Sequence, residues 1–233
     1  MEHSIGVPMQ IIEKIEDVNV KNNFLESIKI LEKNGFKTKQ IELPFLEYSL
    51  PSYYVIAPAE CSANLSRYDG IKFGYRCDNP KDLEDLYVRT RSEGFGEEVK
   101  KRILIGTYCL SAGYFDAYYI KAQKIRAMIT ESFKNAFKDV SVIAMPTCSN
   151  GAFELGSIQD PVKMYEQDIY TIPANLAGLP AISIPSGNTE EMPLGLQFIG
   201  NHLEEGKILN ISHQFYKKLY TCLNQHLKHN FHP

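Results

Sequence analysis

The first fifty residues carry the apolar spacing of a helix between two strands. Residues 5–7 form a short apolar run. Helical spacing then follows in Val20, Phe24, Ile28 and Leu31. Gly35 follows at the position where a glycine commonly ends a helix. Polar and apolar residues then alternate over 39–43, which predicts a second strand that stops at Pro44. Strand, helix and strand in this order predict a parallel pair joined by a crossover.

The middle of the chain predicts a run of helices. The first covers 51–65, and the second opens at 79–82 with a proline in its first turn. A third begins after Gly96, where Glu97 and Glu98 favour the positive end of a helix. A long amphipathic helix over 117–137 is indicated by an apolar stripe. The stripe consists of Tyr118, Ala122, Ile125, Ile129 and Phe133.

The last third returns to strands. Residues 140–146 have the apolar run of a buried strand, and 181–185 with 194–199 predict a hairpin across a polar turn. A final helix is expected over 204–227. These elements predict an α/β fold with a mixed, mostly parallel sheet covered by helices. No repeat or linker divides the chain, so one domain over 1–233 is expected.

Composition narrows the class of protein. The chain has 233 residues, of which 44% are hydrophobic, and a formal net charge of -3. That balance supports a sizeable core and argues against a surface that coats nucleic acid. No apolar run reaches the length of a membrane span, and the N-terminus lacks the basic start of a signal peptide. We therefore expect a cytoplasmic protein without membrane contact.

Metal and disulfide chemistry are both disfavoured. The five cysteines are scattered and form no CxxC pair, so all five are expected to be reduced thiols. His226, His229 and His232 recur every third residue and could be drawn as a metal face. No carboxylate or cysteine joins them, and a frayed terminal tail is the expected structure. No metal site is predicted.

Standard catalytic motifs are missing. The sequence has no phosphate-binding GxxxxGK[ST] loop, no HExxH and no GxSxG turn that would present a serine. The glycines in 94–96 lack a third partner and follow no strand, so they do not form a dinucleotide fingerprint. No residue of this chain is therefore assigned a catalytic role, and no cofactor is expected in it.

Long blocks of sequence nevertheless resemble a known family. Residues 171–185 (TIPANLAGLPAISIP) and 193–200 (PLGLQFIG) are similar to the C-terminal part of amidase-signature enzymes. Residues 53–60 (YYVIAPAE), 64–70 (NLSRYDG) and 94–102 (GFGEEVKKR) resemble, within that family, the A subunits of glutamine-dependent, tRNA-dependent amidotransferases. The resemblance covers nearly the whole chain.

The chain departs from that family in its chemistry. The family uses a lysine, a bridging serine and a nucleophilic serine in a Gly/Ser-rich stretch that precedes all the matched blocks. Nothing here resembles that stretch, and the strand at residues 4–8 lies downstream of it in the family. We therefore expect a truncated amidase-type domain, a fragment that is inactive alone. A separately encoded N-terminal half is an expected partner, if one exists.

The resemblance also implies a function for the complete enzyme. It would hydrolyse glutamine and supply ammonia for converting glutamyl-tRNA(Gln) to glutaminyl-tRNA(Gln). Implied partners are B and C subunits, with ATP and Mg²⁺ used in the partner subunit and tRNA reached only through the complex. Specificity for glutamyl-tRNA(Gln) or aspartyl-tRNA(Asn) stays open.

Glutamine recognition makes physical demands that the resemblance assigns to particular residues. Free glutamine is a zwitterion, so a selective site needs a cation for its carboxylate and an anion for its ammonium group. The resemblance assigns Arg102 to the carboxylate and Asp168 to the ammonium group. It places either Tyr53 or Tyr54 in the same pocket, with the choice between them open.

Simpler interpretations of these residues stand beside that one. Arg102 is adjacent to two lysines and could be a solvated helix arginine, and Asp168 could be an ordinary capping aspartate. The tyrosines could be core aromatics with a hydrogen-bonded hydroxyl. For the chain as a whole, the alternatives are a non-catalytic interaction module, an orphan fragment, or part of an amidase that acts on another amide.

Overall fold

The described chain forms two compact units. The computed structural model describes residues 4–189 and 192–229, with side chains as far as residue 219. The sheet unit contains the residues up to Leu50 and those from Ala127 onward, and the helical unit contains Pro51–Arg126. One amidase-type domain over 1–233 stays a prediction.

The sheet unit is built on a mixed sheet. Within the described residues it has five strands in the order β2-β1-β3-β5-β4. They are β1 (Ser4–Val7), β2 (Lys37–Gln40), β3 (Val142–Pro146), β4 (Ala181–Asn188) and β5 (Pro193–Gly200). β1 pairs in parallel with β2 and β3, whereas β5 is antiparallel to β3 and β4. Of the described strand pairings, two are parallel and two are antiparallel, so the sheet is not mostly parallel as predicted. The antiparallel pairings arise because the β4–β5 hairpin is added to the sheet next to β3.

Helices cover this sheet, which confirms the predicted mixed α/β fold. The helices of the sheet unit are α1 (Met9–Ile12), α2 (Val18–Lys33), α6 (Lys121–Ala136) from Ala127 onward, α7 (Pro161–Tyr165), α8 (Ile172–Ala177) and α9 (Glu205–His229). α2 and α9 pack on the sheet and on each other. Phe198 of β5 meets Phe215 of α9 edge-to-face, with ring centroids 6.3 Å apart and both side chains fully buried. Such aromatic pairs anchor a core beyond their buried area alone.

The predicted βαβ unit is confirmed, with a shift in its second strand. Asp17 caps α2 by accepting hydrogen bonds from the backbone N–H groups of Asn19 and Val20, at 2.8 and 3.3 Å. β2 ends at Gln40, so the predicted strand over 39–43 begins two residues too late and runs too long. Ile41 is buried just after the strand and marks the chain entering the core. The strand itself is polar, as suits a sheet edge.

The helical unit contains α3 (Ser49–Leu65) from Pro51 onward, α4 (Leu83–Gly94), α5 (Glu97–Cys109) and the start of α6 (Lys121–Ala136). α5 begins after Gly96 as predicted. The predicted start of α4 is wrong. Asp82 caps α4 by accepting from the backbone N–H of Asp85 at 2.8 Å, so Pro80 lies in the turn before the helix. An aspartate cap satisfies a free N–H, which proline in the first turn does not.

The long helix predicted over 117–137 is also corrected. Residues Phe115–Ile120 form a π-helix, and α6 follows directly from Lys121. Within the predicted stripe, Ala122, Ile129 and Phe133 are buried, whereas Tyr118 is 43% exposed. Tyr118 instead joins an aromatic cluster with Tyr108 and Tyr114. The wider π-helical turn accompanies this clustering of tyrosines at the start of the helix.

Membrane and metal features can be assessed only for the described residues. In residues 4–189 and 192–229, no helix has the length and apolar character to cross a membrane. Among the described side chains, those of residues 4–189 and 192–219, no group of three or more from His, Cys, Asp or Glu is placed to hold a metal ion. His232 and the side chains of His226 and His229 lie outside the described part. Free thiols are described at Cys61, Cys77, Cys109 and Cys148.

Candidate functional site

A close contact between α3 and α5 organises the helical unit. At Gly106, an added Cβ would lie 1.9 Å from the carbonyl oxygen of Pro58 and 2.8 Å from the Cβ of Ser62. No side chain fits in that space, so only glycine lets α5 approach α3 this closely. The Ser62 and Thr107 hydroxyl oxygens lie 2.9 Å apart beside the contact. The two helices are therefore joined by both packing and a hydrogen bond.

This contact brings Arg102 of α5 against Tyr53 of α3. A hydrogen bond between the Arg102 guanidinium and Tyr53 is the main cause that raises the pKa of Arg102 above its ordinary value. The Nε–H of Arg102 also donates to Oε1 of Glu98 at 3.1 Å, which raises the pKa further, against an opposing effect of burial. The cation thus interacts with both Tyr53 and Glu98 while its side chain keeps 31% exposure.

The two candidate tyrosines differ in their relation to Arg102. Tyr53 accepts a hydrogen bond from the guanidinium, which is the main cause of the raised pKa of Arg102. Tyr54 meets Tyr53 edge-to-face, with ring centroids 5.1 Å apart and an angle of 88° between the rings. Both residues are half-buried. These contacts favour Tyr53 as the tyrosine that acts with Arg102, although its contact with a substrate stays a prediction.

Asp168 belongs to the sheet unit. It ends a short 3₁₀ turn over Glu166–Asp168, after α7 and just before α8. Its backbone oxygen accepts from the Thr171 N–H at 3.1 Å and from the Thr171 hydroxyl at 3.1 Å. α8 ends at Ala177, and Gly178 follows it with a φ of 66°, a left-handed conformation that favours glycine. The sequence did not predict α8, because proline and small residues in this stretch resemble a loop. The Asp168 residue itself is exposed.

A cavity of about 350 Å³ opens in the sheet unit next to this turn. Residues that follow β3, together with Gln167 and Ser183, contribute to its wall. The Thr147 and Ser183 hydroxyl oxygens lie 2.6 Å apart, and the buried Oδ1 of Asn150 has no hydrogen-bond partner among the described residues. The cavity therefore combines an apolar wall with a few polar atoms, as small-molecule pockets do.

Cys148 connects this cavity with Asp168. Its thiol lies on the cavity wall, and partial burial raises the pKa of that thiol. The negative charge of Asp168 raises the same pKa further. A carboxylate has this effect on a thiolate only at short range, since solvent screens charges that are far apart. Asp168 thus acts electrostatically on the cavity wall.

The sequence did not assign two neighbours of the candidate residues, Glu98 and Cys148, to a functional site. Glu98 carries a recognisable signal, because it stands four residues before Arg102 on a predicted helix and that spacing favours an ion pair. Cys148 carries no such signal in the sequence, because its proximity to Asp168 depends on how the chain folds between β3 and α8. The helical unit holds Tyr53, Tyr54 and Arg102 together, and the sheet unit holds Asp168.

Comparison with known families identifies the class of protein. A family model described as Amidase matches residues 2–209. The chain belongs to the amidase family. This match confirms the resemblance found in the sequence and agrees with the mixed sheet described above.

The most similar relatives narrow the resemblance to one kind of polypeptide. The A subunit of glutamyl-tRNA(Gln) amidotransferase from Ruthia magnifica subsp. Calyptogena magnifica is 54% identical over 211 residues, which are 91% of this chain and 44% of the relative. Its namesake from Hahella chejuensis is 54% identical over 213 residues, again 91% and 44%. The chain therefore spans less than half the length of these curated relatives.

Solved structures agree with these relatives. The crystal structure of the glutamyl-tRNA(Gln) amidotransferase A subunit from Thermotoga maritima is 40% identical, with a TM-score of 0.68 over 90% of this chain and 41% of that one. A structure described as an amidase is 21% identical, with a TM-score of 0.72 over 94% of this chain and 46% of that one. The second similarity supports the fold alone.

The α3–α5 contact predicts the effect of a single methyl group. Gly106→Ala forces the new Cβ against the Pro58 backbone, which cannot rotate away as a side chain could. We expect a loss of about 1–3 kcal/mol in the free energy of unfolding, measured by urea denaturation. Gly206→Ala in α9 is the control, since nothing lies within 4 Å of the added Cβ there. Equal stability of the Gly106 variant and the wild type would contradict the packing described.

The proximity of Asp168 to Cys148 predicts a pH effect. Asp168→Asn removes the negative charge that raises the pKa of the Cys148 thiol, so the pKa falls while the effect of burial remains. The pH midpoint of Cys148 alkylation by iodoacetamide, followed by peptide mass spectrometry, should move to lower pH. Cys61 is the internal control, because it is a partly exposed thiol of the helical unit, and its midpoint should not change. An unchanged Cys148 midpoint would show that Asp168 does not act on the cavity.

Proposed function

We propose that this chain supplies the glutamine-binding side of an amidotransferase glutaminase. The complete enzyme would hydrolyse glutamine to glutamate and provide ammonia for converting glutamyl-tRNA(Gln) to glutaminyl-tRNA(Gln). One observation carries the proposal. Arg102 is a partly exposed cation fixed by Tyr53 and Glu98, in a chain 54% identical to a polypeptide of such an amidotransferase. An arginine held in this way is prepared to bind a carboxylate.

Arg102 would bind the α-carboxylate of glutamine. A guanidinium is planar and can direct two parallel N–H bonds at the two oxygens of a carboxylate, which a lysine cannot do. The hydrogen bonds to Tyr53 and Glu98 keep Arg102 charged and reduce the freedom of its side chain. Since the Arg102 guanidinium only donates, Tyr53 accepts from it and can use its own O–H to donate to the same carboxylate.

Asp168 would bind the α-ammonium group of glutamine. Its exposed carboxylate can accept from an incoming cation, and its charge already reaches Cys148 on the cavity wall. A cation and an anion used together would select a free amino acid over a simple amide, because a substrate without either charge would leave a site charge unpaired.

The bond-breaking step is assigned to residues outside this chain. In the family that the chain resembles, a serine attacks the side-chain amide carbon, ammonia leaves, and water then releases glutamate from the acyl-enzyme. The lysine and serines of that chemistry have no counterpart among the motifs of this sequence. By family resemblance they would lie in the part of the relatives' length that this chain does not span. B and C subunits, and a separately encoded N-terminal half if one exists, are the proposed partners. ATP and Mg²⁺ would act in a partner subunit.

The proposal predicts a binding defect in one arginine variant. In a glutaminase assembled from this chain and a polypeptide supplying the missing N-terminal half, Arg102→Ala should raise KM for glutamine at least about tenfold. Lys101→Ala is the matched control, since it removes a neighbouring exposed cation from the same helix, and its KM should stay unchanged. Steady-state ammonia release measures both. Equal KM values for the two variants, or full glutaminase activity of this chain alone, would overturn the proposal.

A further inference from the structure

Arg102 has an orientation that its own helix imposes. Its Nε–H donates to Glu98 one turn earlier on α5, with Nε and Oε1 3.1 Å apart. That bond occupies the side of the guanidinium that carries Nε. The two terminal nitrogens carry the other N–H groups; Tyr53 uses one of them, and the rest can still donate to a carboxylate. Tyr53 contacts the same guanidinium from α3.

We propose that Glu98 is a positioning residue that turns the terminal nitrogens of Arg102 toward the α-carboxylate of glutamine. The inference rests on the proposed function, because it requires Arg102 to bind that carboxylate. Glu98 does not touch the substrate in this proposal. It acts through the guanidinium, whose long side chain would otherwise sample many orientations.

The opposite role for Glu98 makes an opposite prediction. A carboxylate beside an arginine could compete with the substrate for the guanidinium and weaken binding. Removing a competitor lowers KM, whereas removing a positioning residue raises KM. Tyr53, on a different helix, is a second partner of Arg102, and a neutral hydroxyl cannot neutralise the charge of the guanidinium, so the pair of contacts favours positioning.

The ion pair contributes little to the fold itself. The Glu98 side chain is 53% exposed and the Arg102 side chain 31% exposed, and pairs of this kind at i,i+4 are weak. Glu97 offers a matched comparison in the same first turn of α5. It pairs with Lys100, with Oε1 and Nζ 2.5 Å apart, and it has the same favourable position at the helix N-terminus. Losing either glutamate should affect the helix similarly.

The kinetic test uses the assembled glutaminase with L-glutamine. Glu98→Ala should raise KM about five- to tenfold with kcat changed less than about twofold, because an aligned charged hydrogen bond is lost. Glu98→Gln keeps a hydrogen-bond acceptor and should restore most of the loss. Glu97→Ala should match the wild type. A KM for Glu98→Ala that falls, or that equals the value for Glu97→Ala, would overturn the positioning role.

A second measurement needs no activity. In the purified chain labelled with ¹⁵N-arginine, the Nε–H of Arg102 should exchange slowly with solvent in wild type, Glu97→Ala and Glu98→Gln. It should exchange rapidly in Glu98→Ala, and slow exchange in that variant would overturn the inference. The Arg102→Ala enzyme separates the two proposals. If its KM is unchanged, the proposed function fails, whereas a raised KM together with a wild-type KM in the Glu98→Ala enzyme rejects only the role of Glu98.

Discussion

The approach of α5 to α3 at Gly106 is the constraint on which the candidate site depends. Any side chain at that position would meet the carbonyl oxygen of Pro58. One turn earlier on α5, Arg102 interacts with Tyr53 of α3, and this interaction raises the pKa of the guanidinium. A wider separation of the helices would leave the arginine with its neighbour Glu98 alone. The backbone packing thus determines which aromatic hydroxyl the cation meets.

The surroundings of Arg102 also explain how a partly exposed cation can serve recognition. An arginine in solvent loses side-chain entropy when it binds a carboxylate, and this loss weakens binding. The bonds to Tyr53 and Glu98 remove part of that freedom before a ligand arrives. Asp168, in the sheet unit, presents its charge from a short turn whose backbone is bonded to Thr171. Local structure thus restrains the side chain of Arg102 and the backbone of Asp168 in advance.

The sequence predicted elements where one periodicity dominates. The stripe from Val20 to Leu31 is a helix, the apolar run before Pro146 is a buried strand, and the β4–β5 hairpin is antiparallel as expected. Boundaries failed where competing local interactions decide them. Capping by Asp82 overrode the proline signal, and the tyrosine cluster accompanies a π-helical turn that periodicity does not reveal.

The candidate site was predictable in its residue types and not in its contacts. Family resemblance supplied Arg102, Asp168 and the choice between two adjacent tyrosines. A helix rotates neighbouring side chains by about 100°, so adjacent tyrosines face different surroundings, and only the packing of α3 on α5 distinguishes them. Asp168 acts on Cys148 although the two residues are 20 apart in sequence, and no periodic pattern in the sequence relates them.

The most direct test of the central claim compares glutamine with analogues that lack one charge each. In the assembled glutaminase, kcat/KM would be measured for L-glutamine, for 4-aminobutanamide, which lacks the carboxylate, and for glutaramic acid, which lacks the ammonium group. If Arg102 binds the carboxylate, Arg102→Ala should abolish the preference for glutamine over 4-aminobutanamide and keep the preference for glutamine over glutaramic acid. If Asp168 binds the ammonium group, Asp168→Asn should have the reverse effect on the two preferences. Unchanged preferences in both variants would contradict the claim that these residues read the two charges of glutamine.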